Sequence, residues 1–450
     1  MSAPFLPPAA GTPPPVPAAL AVLAGLATLG VATLGMLAGR EPFATWYYPF
    51  AWFSTLLAGE GVGALRTGRF RLLDRPAHLG TMLLWSVVLW LVFEILNLRL
   101  SNWYYVFVPA DAVVRRAGTL LSFATVLPAV FLSEALLAAI GVGERMRWRP
   151  LELRPRETRA MTRLGLVLLF LPLVWPSAFF PLVWIAPTLL LDPWNHAREP
   201  ARSLLGDLER GRPGRLLSLL LGGAAIGLLW ELFNAGARAK WNYTVPGFEE
   251  LKLFEMPLAG FLGFPPFALV CFAAWQSLVL AGLAVPRDGA ARPTSAGARL
   301  AAAGLATLLS AAAVVGMERY TVSSVSPSLK DVPGAPASAL RARGHDVWSL
   351  AEASPEALAA QLGTEGRVVA AWVERARLVT LRGIGGENAR RLVTAGVRSV
   401  QDLARAGPEP LADRLQGGSA EPVPVARLRV WVRAARRATP DPPLLPERLP

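Results

Sequence analysis

One cysteine and three histidines in 450 residues leave no material for a disulfide framework or a thiolate metal cluster. His78, His196 and His345 stand too far apart to show metal-ligand spacing, so no metal site is expected. Charge is scarce as well: 17% of residues are charged against 53% hydrophobic, which does not suit an ordinary soluble protein. A mean hydropathy of +0.40 points to a membrane as the solvent. Acidic residues are outnumbered 32 to 45, giving a net charge of +13. Many of the arginines, however, sit in short loops between apolar runs, where they act as topology signals rather than as a nucleic-acid patch. Residues 1–16 are rich in proline and alanine and carry no basic stretch, so they read as a disordered lead and not as a cleaved signal peptide. No serine elbow, phosphate loop or dinucleotide fingerprint occurs, and no cofactor is expected.

What the chain does have is apolar length. A helix needs about 20 apolar residues to cross the hydrocarbon, and runs at 17–38, 44–65, 78–98, 117–141, 216–233, 257–284 and 299–317 meet or approach this. The stretch 164–191 is broken by Pro172, Pro176, Pro181 and Pro187 and reads either as one kinked span or as two short ones.

Internal similarity decides between them. Tyr48-Pro49-Phe50-Ala51-Trp52 resembles Phe180-Pro181-Leu182-Val183-Trp184. Phe93-Glu94-Ile95-Leu96-Asn97, followed by Trp103-Tyr104-Tyr105 and Val108-Pro109, matches Trp230-Glu231-Leu232-Phe233-Asn234, followed by Trp241-Asn242-Tyr243 and Val245-Pro246. Leu121-Ser122-Phe123 aligns with Leu262-Gly263-Phe264. Pro181 lies 132 residues after Pro49 and Glu231 lies 137 after Glu94, so three blocks recur in order with little drift. Such a pattern predicts a tandem duplication of a four-span unit, 17–150 and 160–286, with a final helix at 298–318. Nine spans follow, with 164–191 as two of them. Arginines cluster in alternate loops, around Arg66 to Arg75, Arg145 to Arg159, Arg198 to Arg215 and Arg287 to Arg292, which places those loops and the amino end in the cytoplasm. The aromatic segments at 103–108 and 241–245 then fall on the opposite side, as interfacial belts.

Glu94 and Glu231 are the acids to explain. Each lies late in an apolar helix with an asparagine, Asn97 or Asn234, close to one turn further on, so each pair shares a helix face. An ionisable group inside a bilayer costs several kcal/mol unless it faces protein or water. Two such groups related by duplication could share a proton, hold an ion or act as acid and base. They could equally form a symmetric structural network that holds their helices to the aromatic segments. The candidate site therefore comprises Glu94, Asn97, Glu231 and Asn234 with Trp103, Tyr105, Trp241 and Tyr243. Glu134 is a lesser candidate, Glu255 reads as a helix-start residue, and Gly260, Gly263, Pro265 and Pro266 suit either a broken helix or close packing.

Beyond 318 the text changes to mixed polar and apolar residues. The run Leu378-x-x-Leu381-x-Gly383-Ile384-Gly385-x-x-x-Ala389-x-x-Leu392 resembles the helix-hairpin-helix family, and a degenerate copy runs from Leu329 to Leu362 with Asp331-Val332-Pro333 in place of Gly-Ile-Gly. A tandem module at 327–416 is expected, followed by a basic helix and proline-rich tail at 422–450. The resemblance implies sequence-independent contact with duplex phosphates, for which Gly383, Gly385, Arg382, Arg390 and Arg391 are the candidates, but modules of this kind also serve as protein-docking or structural units.

The fold expected is thus all-α: a polytopic bundle embedded in membrane lipid, with a small soluble helical domain outside the cytoplasm. The function read first is binding or transport of an ion or small amphipathic ligand at the paired Glu/Asn site, with the hairpin module docking a protein partner. Two other classes stay open: a membrane-embedded enzyme acting on a lipid or isoprenoid with the glutamates as acid and base, by likeness to duplicated carotenoid-cyclase-type proteins, and a tether that binds DNA through the second hairpin.

Overall fold

In a computed structural model the described residues are 16–245, 251–289, 292–416 and 422–439. The expected lead at 1–16 apart from Val16, Pro246 of the second aromatic block and the proline-rich tail lie outside them. The chain is about 72% helical with almost no strand, and is all-α. It packs as two units, one formed by Met1–Trp103, Ala112–Ala237 and Val245–Thr321, the other by Tyr104–Asp111, Arg238–Thr244 and Val322–Pro450.

The first unit contains α1 (Val16–Leu37), α2 (Phe43–Thr67), α3 (Pro76–Leu100), α4 (Ala112–Phe123), α5 (Val126–Ala139), α6 (Pro155–Val174), α7 (Pro176–Phe179), α8 (Ala186–Arg198), α9 (Leu204–Glu209), α10 (Gly214–Gly236), α11 (Phe264–Leu280) and α12 (Ala296–Gly316). Among the described residues six stretches are long and apolar enough to cross a membrane: Val16–Leu37, Pro76–Leu100, Ala112–Ala139, Gly214–Gly236, Leu258–Leu280 and Ala296–Thr321. Large apolar side chains on the outside of α1 and α12, such as Leu34, Leu37, Leu300 and Leu308, are exposed, as lipid-facing residues would be. The run at 164–191 becomes α6 and α8, with α7 and the 3-10 turn Phe180–Trp184 between them.

Helix contacts rest on small residues and on hydroxyls. α1 packs on α2, and α6 on α8. A Cβ at Gly25 would stand 2.6 Å from Ala58 N, and one at Gly61 2.7 Å from Ala18 O, so α1 and α2 meet backbone to backbone. The fourth expected span is interrupted between α4 and α5, and Ser86 of α3, fully buried, repairs the gap: its Oγ donates to Phe123 O (2.6 Å) and accepts from Leu127 N (3.0 Å). A 3-10 turn, Leu258–Gly263, leads into α11. Glu255 does not start a helix; it is buried in the turn between β3 (Lys252–Leu253) and β4 (Met256–Pro257), because the chain pairs these residues before the helical segment begins.

The second unit has α13 (Ala337–Ala342), α14 (Val347–Glu352), α15 (Pro355–Leu362), α16 (Gly366–Thr380), α17 (Gly385–Thr394), α18 (Val400–Arg405), α19 (Pro408–Gln416) and α20 (Val425–Ala438) around one core that includes Leu340, Leu350, Val373, Ile384, Leu403, Leu411 and Trp431. α20 belongs to this core through Leu428, Trp431, Val432 and Ala435; its basic residues occupy only the other face of an amphipathic helix. β1 (Trp103–Val106) pairs with β2 (Lys240–Tyr243), and 322–325 adds to β1 through the parallel bridges Tyr105 to Val322 and Val108 to Val325.

Candidate functional site

α3 leaves its last carbonyls without helical partners, and the residues that follow use its side chains to turn. Ser101 takes a left-handed conformation, φ 54°, and its N–H donates to Asn97 O (2.7 Å). The Asn97 side chain then fixes the next two residues: Oδ1 accepts from Asn102 N (2.9 Å) and Trp103 N (3.3 Å), while Nδ2 donates to Trp103 O (2.9 Å). Glu94, one turn earlier, holds the same residue by its ring. Its Oε1 accepts from Trp103 Nε1 (3.0 Å) and from Trp90 Nε1 (2.9 Å). Two indole N–H groups on one buried carboxylate oxygen fix its position.

Glu94, Asn97, Glu231 and Asn234 are all fully buried, each at 0% exposure. The space around the two glutamate helices is filled by rings. Trp90 lies on Trp230 at 5.0 Å between ring centroids, Phe93 stacks on Trp184 (5.2 Å, 10°), and Phe267 presents its edge to Trp90, Phe93 and Trp184 at 5.8, 5.3 and 5.7 Å. Trp52 and Trp184, the closing residues of the first pair of matching sequence blocks, make reciprocal contacts. Trp52 of α2 meets Phe233 and Trp230 of α10 (5.4 and 6.3 Å), and Trp184 meets Phe93 of α3 and Trp103 (5.2 and 6.2 Å).

Of the expected aromatics, Trp103 bonds both Glu94 and Asn97. Tyr105, Trp241 and Tyr243 belong instead to the second unit, where Trp241 Nε1 donates to Tyr243 OH (2.8 Å). They are strand residues. Their partners are set by pairing with segments far away in the chain. Glu134 is paired with Arg71 (3.1 Å). His78 bonds Val285 O at 2.8 Å and His196 meets Glu209 at 2.7 Å, while His345 lies in the second unit. Among the described residues no group of three or more His, Cys, Asp or Glu is placed to hold a metal ion.

A second pair of acids was visible only as spacing. Glu60 Oε2 accepts from Leu72 N (2.9 Å) and Leu73 N (3.3 Å); Asp192 Oδ1 and Oδ2 accept from Leu204 N and Leu205 N, both at 2.9 Å. Asp192 follows Glu60 by 132 residues, the interval of Pro49 and Pro181. Both acids are buried; Glu60 ties α2 to the loop beyond it and Asp192 ties α8 to the start of α9.

In the second unit α16 and α17 are joined by a tight turn in which Arg382, Gly383 and Gly385 all have positive φ (39°, 83° and 70°). Both glycines are buried. A Cβ at Gly383 would stand 2.4 Å from Val106 Cγ1 and one at Gly385 2.7 Å from Ser324 Cβ, so this face of the turn packs on the chain itself. Arg390 lies 3.4 Å from Asp331, whose main-chain oxygen accepts from Arg375 Nε (3.0 Å). Half-buried Arg375 is pulled below its usual pKa by burial first and by neighbouring Arg390 second.

Residues 345–437 match the family described as a domain of unknown function, DUF4332. The match starts inside the first of the two expected hairpin copies and runs through α20, in keeping with the place of that helix in the core. Neither a curated protein nor a solved structure matches the chain.

Proposed function

We propose that the chain is a multi-pass protein of a bacterial cytoplasmic membrane, made of two copies of a four-span unit and a ninth span, whose Glu94/Asn97 and Glu231/Asn234 pairs bind a proton, an ion or a small amphipathic ligand. The observation that carries this reading is the complete burial of all four side chains in helices able to cross a bilayer. Two recurrences support the duplication: the matched carboxylate contacts of Glu60 and Asp192 and the reciprocal placement of Trp52 and Trp184. The internal sequence similarity supports counting α6 and α8 as separate spans, and the arginine-rich loops support an amino end inside. Ring packing between the glutamate helices, with Trp90 on Trp230 and Phe267 edge-on to Trp90, supports binding over lipid or isoprenoid chemistry.

The second unit is read as a helix-hairpin-helix docking module. Support comes from the α16–α17 turn with its left-handed glycines. Burial of Gly383 and Gly385 against Val106 and Ser324 turns that face away from solvent phosphate and favours a protein partner over DNA.

Dicyclohexylcarbodiimide, an apolar reagent that modifies protonated carboxyl groups, tests the site. With purified protein in detergent micelles, adducts at Glu94 or Glu231 are expected by peptide mass spectrometry, forming faster as pH falls, and Glu94→Gln should abolish the first of them. A folded protein that takes no label at either position across the pH range would reduce the two pairs to a structural network.

A further inference from the structure

Tyr104–Asp111 and Arg238–Thr244 follow, in the chain, the two helices that carry the buried glutamates, yet both segments belong to the C-terminal unit. One residue of that unit takes hold of both. Trp348 in α14 receives the edge of the Phe107 ring at 5.1 Å and 86°, and the Arg238 guanidinium lies over its ring at 4.7 Å. Arg238 also approaches the Asp346 carboxylate (3.9 Å). Further grips surround this pin. Arg427 of α20 covers the Tyr104 ring at 4.8 Å, Gly383 packs on Val106, and Asn388 Nδ2 donates to Ser323 O (3.0 Å) beside the strand that 322–325 adds to β1. Phe107 N donates to Ser324 Oγ (3.1 Å) and Ser326 Oγ to Phe107 O (2.6 Å).

We infer that the partner docked by the C-terminal unit is this chain's own pair of loops, and that the unit is a clamp fixing them relative to each other with Trp348 as its pin. A ring edge on one side and a cation on the other make the pin selective, since the two loops present different chemistry to one indole. The clamp is also placed to report on the buried acids. Trp103, held by Glu94 and Asn97, is the first residue of β1, and the clamp grips the residues that follow it. A change of protonation or ligand at Glu94 that releases the Trp103 ring would alter the loop the clamp holds, and by linkage the clamp would alter the acid. This last step rests on the function proposed above.

Limited trypsin digestion of the full chain in micelles tests it, read at the bonds after Arg238 and Lys240 by peptide mass spectrometry. In the unaltered protein these bonds should resist. Arg238→Gln should speed cleavage after Lys240 by about tenfold, and Trp348→Ala should do the same at both bonds, because cleavage tracks the open population. Trp348→Phe keeps an edge and a ring face and should keep the protection. Cleavage after Arg405 serves as the fold control. If Trp348→Ala accelerates it too, the alanine variant has unfolded the unit and Arg238→Gln decides alone. Loops cut as fast in the unaltered protein as in Arg238→Gln would overturn the clamp. Coupling predicts that Arg238→Gln changes the carbodiimide rate at Glu94 by about threefold or more; an unchanged rate with released loops would overturn the coupling. A protein that takes no label at all defeats the proposed site and leaves the protease result standing.

Discussion

Ser86 shows how much one hydroxyl can carry. Its Oγ serves two backbone groups at the break between α4 and α5, Phe123 O and Leu127 N, from a fully buried position. Ser86→Ala should therefore cost about 1–3 kcal/mol and lower the thermal midpoint in detergent by several degrees, whereas Ser86→Thr, which keeps the hydroxyl, should lower it less. Asp402 makes a testable case outside the bilayer. Burial pushes its carboxyl up, but the N–H groups of Arg398 and Ser399 (both 3.0 Å) and the Ser399 side chain outweigh that and hold it below the ordinary aspartate value. A lowered folded value means that the contribution is complete above the unfolded pKa, about 3.9, and is lost as pH falls through the folded one. Denaturation of the C-terminal unit followed against pH should thus flatten at its acid end in Asp402→Asn. At this scale the sequence was readable where a polar residue interrupts apolar text, as at Glu94, Asn97, Glu231 and Asn234. Trp90 and Ser86 escaped notice, and Trp184 stood out only as part of a repeated block, because what they do depends on which distant helix stands opposite them.

Elements were legible where the signal is local. Apolar length located the helices, and the four prolines of 164–191 marked the turn between α6 and α8. Local text also marked the α16–α17 turn through Gly383 and Gly385. The strands were not legible: β1 and β2 are four residues each, and their pairing reaches across the chain, so Tyr105, Trp241 and Tyr243 looked like any aromatic run near an apolar helix. Helix packing gives its own prediction. α1 and α2 touch through Gly25 and Gly61, while nothing lies within 4 Å of a Cβ built at Gly30. Gly25→Val or Gly61→Val should separate the two helices and lower the yield of monodisperse protein by size-exclusion chromatography, and Gly30→Ala should leave it unchanged or, by better helix propensity worth about 1 kcal/mol, improve it.

For the molecule as a whole, composition alone announced the membrane and the basic loops proposed its orientation. The structure adds that the helical domain after α12 contains two segments from much earlier in the chain. With nine spans and the amino end in the cytoplasm, an alkaline phosphatase fused after residue 439 should be active and a green fluorescent protein dark; the reverse would show that the α6–α8 region crosses once. The bridges from 322–325 have a consequence for biosynthesis. Phe107 and the Ser324 hydroxyl that it bonds are separated by 217 residues. Until the ribosome has delivered that distant stretch, one edge of β1 stands bare, open to any passing strand. Cells making this protein would have to shield that edge while 217 of the 450 residues are made, and a chain truncated before the final helix would keep it uncovered for good.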